Sequence, residues 1–188
     1  LTDTFDRNIR DIDLVLGAKG SPLQLILANV YHVDAPTGNI RLADAEKVMN
    51  HPYIASGIPL AYGDNYRGFR IVGSTLDYTE HYAAKWAEGR PFENAFEVVV
   101  GARVAETTGL RVGDEFFSAH GLQDETDVHT DKTFYVVGVL EESGAVLDQL
   151  LLCNIETIWG VHEGHGEVVA PEDREITAVL LKKRNPLA

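Results

Sequence analysis

Short apolar runs separated by glycine, proline and polar turns cover most of this chain, and they predict alternating strands and helices. In the first half, the predicted strands are residues 12–16, 57–62 and 69–73, and the predicted helices are residues 22–31, 42–50 and 78–88. Gly63 to Gly68 reads as the longer loop of a hairpin. Gly89 then supplies a left-handed end for the third helix. These elements form a first unit with the order β-α-α-β-β-α.

The second half of the pattern begins at Glu97 and is rich in valine and glycine. Its predicted strands are residues 97–101, a run after the Val112-Gly-Asp114 turn, and residues 134–140, 149–153 and 176–182; its predicted helices are residues 102–110 and 155–161. The glycines at 101, 109, 113 and 138 punctuate this unit. The pattern therefore predicts two units, each of which combines strands with helices.

The turn Gly17-Ala-Lys-Gly-Ser21 precedes a strong helix-start signal. Ser21 is a capping residue, Pro22 suits the first helical position, and Gln24 follows the cap by three residues. Glycines and a lysine between a strand and a helix are also typical of phosphate-binding loops, but the four-residue spacing of the P-loop is absent. A tight turn is the favoured interpretation, and phosphate binding is the alternative.

Charge and cysteine content narrow the functional classes. The 29 acidic and 16 basic residues give a net charge of −13, which would repel a phosphate backbone, so we expect no nucleic-acid partner. The single cysteine, Cys153, lies in an apolar run and is expected to be a buried, inert thiol. Because Met49 is the only methionine and the sequence opens at Leu1, we expect a processed or excised piece of a longer protein.

Two histidine-containing segments are the candidates for metal chemistry. His162, His165 and Glu167 lie within six residues, but they are one residue short of the His-Glu-x-x-His helix spacing and two glycines interrupt them. A polar loop is the favoured interpretation; a small metal-binding module or metal-dependent enzyme is the alternative function, which metal analysis of His162→Ala and His165→Ala would test. His120, His129 and Asp131 flank an acidic segment for which a solvated loop is favoured.

Aromatic residues recur in the first unit, and Tyr78, Tyr82 and Trp86 do so at helical spacing. Such a stripe favours a core face, with a partner surface as the alternative. The sequence has no nucleophile elbow and no set of residues that predicts catalysis. We therefore expect no enzyme activity, no catalytic or metal residue and no cofactor, and a soluble ligand-binding domain is a third hypothesis.

The order of several weak motifs resembles the extracytoplasmic domain of MacB/FtsX-type ABC transporter permeases. These motifs are Gly89-Arg90 followed by an apolar residue, the Val98-Val-Val-Gly101 strand, Gly109-Leu-Arg-Val-Gly-Asp114 and Val136-Val-Gly-Val-Leu140. The segments 13–25 and 31–40 are similar to the region after the first membrane helix in one subgroup.

The resemblance implies an α+β fold with two subdomains. The first is a porter-like, βαβ-type, membrane-proximal subdomain of residues 1–94 plus 174–188 that continues beyond Ala188, and the second is a smaller inserted β-rich subdomain of residues 95–173. The resemblance also implies a periplasmic, non-catalytic domain of a bacterial inner-membrane permease that transmits ATPase-driven conformational change to a substrate or partner. The implied partners are a cytoplasmic ABC ATPase, reached through membrane helices outside this sequence, a second copy in a homodimer, and a periplasmic protein. It leaves open efflux, lipoprotein release and a regulatory role.

Overall fold

The computed structural model describes residues 2–119, 128–163 and 170–185. The first half contains α1 (Thr2–Ile9), β1 (Leu14–Gly17), α2 (Pro22–Asn29), β2 (Ile40–Arg41), α3 (Leu42–Met49), β3 (Ile54–Tyr66), β4 (Phe69–Ser74), α4 (Asp77–His81) and β5 (Trp86–Gly89). The second half contains β6 (Glu97–Val100), α5 (Ala102–Thr108), β7 (Glu115–Ala119), β8 (Val128–Leu140), β9 (Leu150–Asn154), α6 (Ile155–Glu163), β10 (Glu175–Ile176) and β11 (Ala178–Lys183). The expected α+β class is confirmed.

The chain divides into two compact units. The terminal unit comprises residues 1–61 and 168–188, and the central unit comprises residues 62–167. Residues 54–61 of β3 belong to the terminal unit and residues 62–66 to the central unit. The subdomain boundaries that the resemblance implies, at Asn94 and Asp173, stay a prediction.

In the terminal unit, β11 is the middle of an antiparallel arrangement. It pairs with β1 on one side and with β3 on the other, so that Val179 lies opposite both Leu16 and Pro59. Residues 178–181 of β11 are at most 3% exposed, so this part of the strand is buried on both faces. A continuous apolar run is what a strand buried on both faces requires.

The central unit contains a mixed sheet in the order β4-β9-β6-β8-β5. β4 and β9 are parallel, β9 and β6 are antiparallel, and β6 and β8 are parallel. The residues Val98, Val99 and Leu151 are fully buried. β7 forms an antiparallel pair with β8, in which Phe116 lies opposite Phe134 with stacked rings.

Two predicted elements of the central unit are wrong. Residues 78–88 do not form one helix, because α4 ends at His81 and Ala83 takes a left-handed conformation with φ 50°. Trp86 starts β5 and pairs with Leu140. Residues 63–68 are not a longer loop either: β3 runs to Tyr66, and Arg67 and Gly68, both with positive φ, form a two-residue turn whose twist suits a hairpin.

The glycines of the second half have two different roles. At Gly101 an added Cβ would lie 2.1 Å from the backbone oxygen of Leu147, so the absence of a side chain permits close packing. Gly109 instead ends α5 with φ 78°, where the surrounding space is open. The first glycine serves tertiary packing and the second serves a helix end.

Candidate functional site

The turn after β1 is closed by its own chain. Ser21 Oγ accepts a hydrogen bond from the Gln24 backbone N–H at 3.1 Å, which confirms the predicted helix start. The Thr37 hydroxyl donates to the carbonyl oxygen of Ala18 at 2.8 Å, and its methyl group packs against Gly20. These contacts support the tight-turn interpretation, because the Thr37 side chain lies against the turn where an anion would have to approach.

The most strongly perturbed carboxylate described is Glu97, at the start of β6. Its two oxygens accept hydrogen bonds from both terminal nitrogens of Arg90, at 2.9 and 2.7 Å. They also accept from the backbone N–H groups of Glu93, at 2.7 Å, and of Asn94, at 3.0 Å, and from Asn94 Nδ2, at 3.1 Å. We call residues 90–97, which these bonds tie together, the Arg90–Glu97 loop.

The hydrogen-bond donors around Glu97 explain why the pKa of its carboxyl group is lowered. The Arg90 guanidinium, together with the backbone and side-chain donors of Glu93 and Asn94, holds the pKa of Glu97 far below its usual range, despite an opposing contribution from burial. Because every donor comes from the same loop, the carboxylate is fully engaged in structure. This arrangement suits an anchor and offers no free group for acid–base chemistry.

Phe96 lies beside this anchor in an unusual backbone conformation. Its φ is 65°, which is rare for a bulky residue. The Phe96 N–H donates to the hydroxyl of the fully buried Thr157 at 2.8 Å, and the Phe96 carbonyl accepts from the Tyr135 N–H at 2.9 Å. Thr157 is in turn held by the side chain of Asn154. The surrounding contacts therefore impose the strained conformation.

Sequence reasoning did not identify this network. In the sequence, the Gly89-Arg90-Pro91 motif serves only as a marker of the family resemblance. The carboxylate that pairs with Arg90 lies seven residues later, at Glu97. The available signal was an arginine and a glutamate flanking a proline-containing turn before a buried strand. That signal is weak, because only the fold shows that both side chains point to the same place.

The aromatic residues of the first half are mainly core residues. Tyr78 is fully buried and meets Tyr82 edge to face, with ring centroids 5.6 Å apart. The Arg70 guanidinium lies over the Tyr62 ring at 4.5 Å. Burial raises the pKa of both Tyr62 and Tyr78, so both remain neutral phenols. Trp86 does not continue a helical stripe, because it belongs to β5.

Cys153 is fully buried in β9, as expected. Burial raises the pKa of its thiol, and the Sγ atom lies 3.8 Å from the Val72 carbonyl oxygen. A thiol that stays protonated is a poor nucleophile. The prediction of a buried cysteine is confirmed, and its environment is that of a packing residue.

The proposed metal ligands fall mostly outside the described part of the chain. Residues 165 and 167 lie outside it, as does His120, and of His162, His129 and Asp131 only the backbone is described. Within residues 2–119, 128–163 and 170–185, no group of three His, Cys, Asp or Glu side chains could hold a metal ion. The alternative based on His162, His165 and Glu167 therefore stays a hypothesis.

One edge of the terminal unit brings the segment before β1 together with the end of β11. Lys182 Nζ lies 2.9 Å from Asp11 Oδ1, and the Lys183 backbone N–H donates to Asp13 Oδ2 at 2.7 Å. The Arg184 N–H donates to the Tyr53 carbonyl oxygen at 2.8 Å. We call residues 9–14, 51–53 and 182–184 the entry–exit edge. Its side chains are largely exposed, and Tyr53 is 75% exposed.

Comparisons with solved structures identify the fold. The periplasmic region of MacB from Actinobacillus actinomycetemcomitans aligns with a TM-score of 0.56 and 15% identity, over 95% of this chain and 79% of that one. The extracellular domain of the noncanonic ABC-type transporter YknZ from Gram-positive bacteria aligns with a TM-score of 0.53 and 12% identity, over 92% of this chain and 83% of that one. No curated protein sequence gives a significant match.

A family comparison completes the assignment. The sequence model of the MacB-like periplasmic core domain matches residues 14–182. None of the helices built from described residues combines the length and apolarity needed to cross a membrane. The resemblance inferred from the glycine-marked strands, and the extracytoplasmic location that it implies, are confirmed. The chain belongs to the family of MacB-like periplasmic core domains.

Proposed function

We propose that this periplasmic core domain is a mechanical element of an inner-membrane ABC transporter permease, which passes ATPase-driven conformational change to a periplasmic substrate or partner. Its direct partner is the membrane part of the permease, and through it a cytoplasmic ABC ATPase. A second copy of the permease and a periplasmic protein complete the proposed assembly. The domain itself performs no catalysis in this proposal.

The observation that carries the proposal is the pairing of β1 with β11. The two strands are antiparallel neighbours, so that Leu14 at the beginning of β1 lies opposite Leu181 near the end of β11. The residues just before β1 and just after β11 therefore lie side by side at one edge of the terminal unit. Such an exit suits a domain inserted between two neighbouring membrane segments, because any movement of those segments would pull on one edge.

The chemistry of the described side chains supports the same proposal. The strongly perturbed groups are Glu97, held by its own loop, and the buried Cys153, Tyr62 and Tyr78. Each has a structural explanation. Catalytic groups with perturbed pKa values usually converge in a cleft, whereas these lie within loop anchors and packed cores.

Insertion of flexible linkers tests the proposed coupling. The full-length permease with its ATPase is placed in proteoliposomes, and Gly-Ser segments are inserted between Arg10 and Asp11 and after Arg184. A fluorescent label on Arg103→Cys, an exposed position of the central unit, reports ATP-dependent movement. We expect the insertions to abolish the ATP-dependent label signal while ATP hydrolysis continues, because slack linkers transmit little force.

The matched control places the same insertion between Glu141 and Glu142, two exposed residues of the central unit that are not part of the entry–exit edge. This variant should retain the label signal. An unchanged signal in the linker variants would contradict the proposal. Independently, calorimetry of the isolated chain with Mg-ATP should show no saturable binding, and saturable binding would argue for a nucleotide site of its own.

A further inference from the structure

We propose that the entry–exit edge binds the surface of an anionic lipid bilayer, with its basic side chains at the headgroups and Tyr53 inserted at the interface. The inference rests on the proposed function, because that function brings this edge next to the membrane. It goes further by assigning a lipid-binding role to particular side chains. The partner is a phospholipid surface that carries negative charge.

The local charge at this edge is opposite to that of the whole chain. Its residues include four cations, namely Arg10, Lys182, Lys183 and Arg184, but only two carboxylates, Asp11 and Asp13. The formal net charge of the chain is −13. Asp11 pairs with Lys182, and Asp13 accepts from the Lys183 backbone, so the edge keeps a formal charge of +2 on largely exposed side chains.

Exposed apolar groups accompany these cations. Tyr53 is 75% exposed and stacks obliquely on His51, with ring centroids 5.2 Å apart. Ile9 and Leu14 are 38% and 48% exposed. Tyrosine rings are enriched at membrane–water interfaces, where one end is apolar and the other is hydrated. A site for a soluble anion would instead require donors that converge on one point.

The backbone fixes these groups in one place. The Arg184 N–H donates to the Tyr53 carbonyl oxygen, and the Ile12 N–H donates to the Ile9 carbonyl oxygen. Lys183 lies opposite Ile54 in the β3–β11 pair.

Screening by salt makes the charge of the edge itself the main electrostatic contribution to lipid binding, since the Debye length is about 8 Å at physiological salt. Acidic residues farther from the bilayer than this distance would oppose binding only weakly.

Sedimentation with vesicles tests the proposal. The 188-residue chain is mixed with vesicles of phosphatidylcholine alone, or of phosphatidylglycerol mixed with phosphatidylcholine. We expect binding to the anionic vesicles only, and its loss at high salt. Since each basic residue near an anionic surface strengthens binding about fivefold, the double variant Lys183→Glu/Arg184→Glu should bind about 25-fold more weakly.

The double variant Arg103→Glu/Arg111→Glu is the matched control. It changes the net charge by the same amount at exposed positions outside the entry–exit edge, and it should bind within about twofold of the wild type, because neither residue belongs to the proposed lipid-binding set. Equal loss in both double variants would overturn the proposal, since it would show a dependence on total charge. So would release of the bound chain by inorganic phosphate at matched ionic strength, which would indicate a soluble-anion site.

A Tyr53→Trp variant reports the orientation. Its fluorescence should shift to the blue on anionic vesicles and be quenched by brominated lipids, relative to the signal of the wild-type tryptophans. Absence of quenching on vesicles that bind the chain would overturn the assignment of this edge. If vesicle binding fails while linker insertion still uncouples the transporter, only the lipid inference fails; if linker insertion has no effect, the proposed function fails whatever the vesicles show.

Discussion

The entry–exit edge and the Arg90–Glu97 loop both use carboxylates to fasten one stretch of chain to another, but they do so in different surroundings. At the edge, the Lys182 and Asp11 side chains are 47% and 57% exposed, and one ion pair joins them. In the loop, the Glu97 side chain is only 13% exposed and accepts five hydrogen bonds. The side chains of the loop form a network around a largely buried carboxylate, whereas the side-chain ion pair of the edge is exposed and adds little stability to the backbone bonds there.

This difference matches the roles that we propose. Backbone hydrogen bonds hold the edge to the terminal unit and can transmit force, while its exposed side-chain ion pair can exchange for other contacts at small cost. An exposed ion pair contributes about 0–1 kcal/mol. Each hydrogen bond to a charged group contributes up to about 3 kcal/mol, and it also fixes the positions of the groups that it joins.

The largest expected effect comes from Glu97→Gln. The substitution removes the charge that orders Arg90, Glu93 and Asn94, and turns an amide toward hydrogen-bond donors. We expect a loss of about 3 kcal/mol in the free energy of unfolding, measured by urea denaturation. Glu93→Gln is the control, because Glu93 is 67% exposed and lies 3.9 Å from Arg90; it should cost less than about 0.5 kcal/mol. Equal effects would show that the network adds no stability.

The second prediction concerns pH. Because the folded-state pKa of Glu97 is depressed, its stabilising contribution is fully present above the unfolded pKa of about 4.3 and is lost as the pH falls toward the folded value. The difference in stability between the wild type and Glu97→Gln should therefore shrink below about pH 4. A difference that stays constant from neutral to acidic pH would contradict the assigned cause of the shift.

Thr157→Val should have an intermediate effect. The variant keeps the shape of the fully buried side chain but removes the hydroxyl that accepts from the Phe96 N–H. We expect a loss of about 1–3 kcal/mol, because a buried donor is left unsatisfied. Thr79 is a buried control, whose hydroxyl donates to the Leu76 carbonyl near a helix start. If Thr157→Val costs no more than Thr79→Val, the hydroxyl does not maintain the strained Phe96 conformation.

The smallest expected effect comes from Asp11→Asn at the entry–exit edge. The change removes one partner of an exposed ion pair, so the free energy of unfolding should change by less than about 1 kcal/mol. Urea denaturation of Asp11→Asn and of Glu97→Gln under the same conditions compares the stability that each region contributes. A loss as large as that of Glu97→Gln would show that the exposed Lys182–Asp11 ion pair stabilises the fold as strongly as the Glu97 network, which would contradict the comparison of the two regions.

The sequence predicts helices and strands well where neighbouring residues determine them. Ser21, Pro22 and Gln24 mark the start of α2 through neighbouring atoms, and the apolar run of β9 marks a buried strand. The prediction fails where pairing decides the structure. Trp86 continues a helical pattern in the sequence, yet its backbone pairs with Leu140, which is distant in the chain.

The Arg90–Glu97 loop and the entry–exit edge were harder to predict for the same reason. The Glu97 anchor depends on a turn that returns Arg90 to it, and the entry–exit edge depends on the pairing of the first and last strands. Neither is visible as a short motif. The family resemblance was accessible because it requires only the order of several glycine-marked strands, which the sequence displays directly.

The central claim is that ATP-driven movement enters this domain through the entry–exit edge. The most direct measurement places a spin label on Tyr53→Cys in the full-length permease with its ATPase; the native Cys153 is fully buried and should not react. The depth of the label relative to the bilayer is measured without nucleotide and after vanadate trapping. We predict a label at the membrane surface whose depth changes between the two states. A label in bulk water, or one whose depth is identical in both states, would contradict the claim.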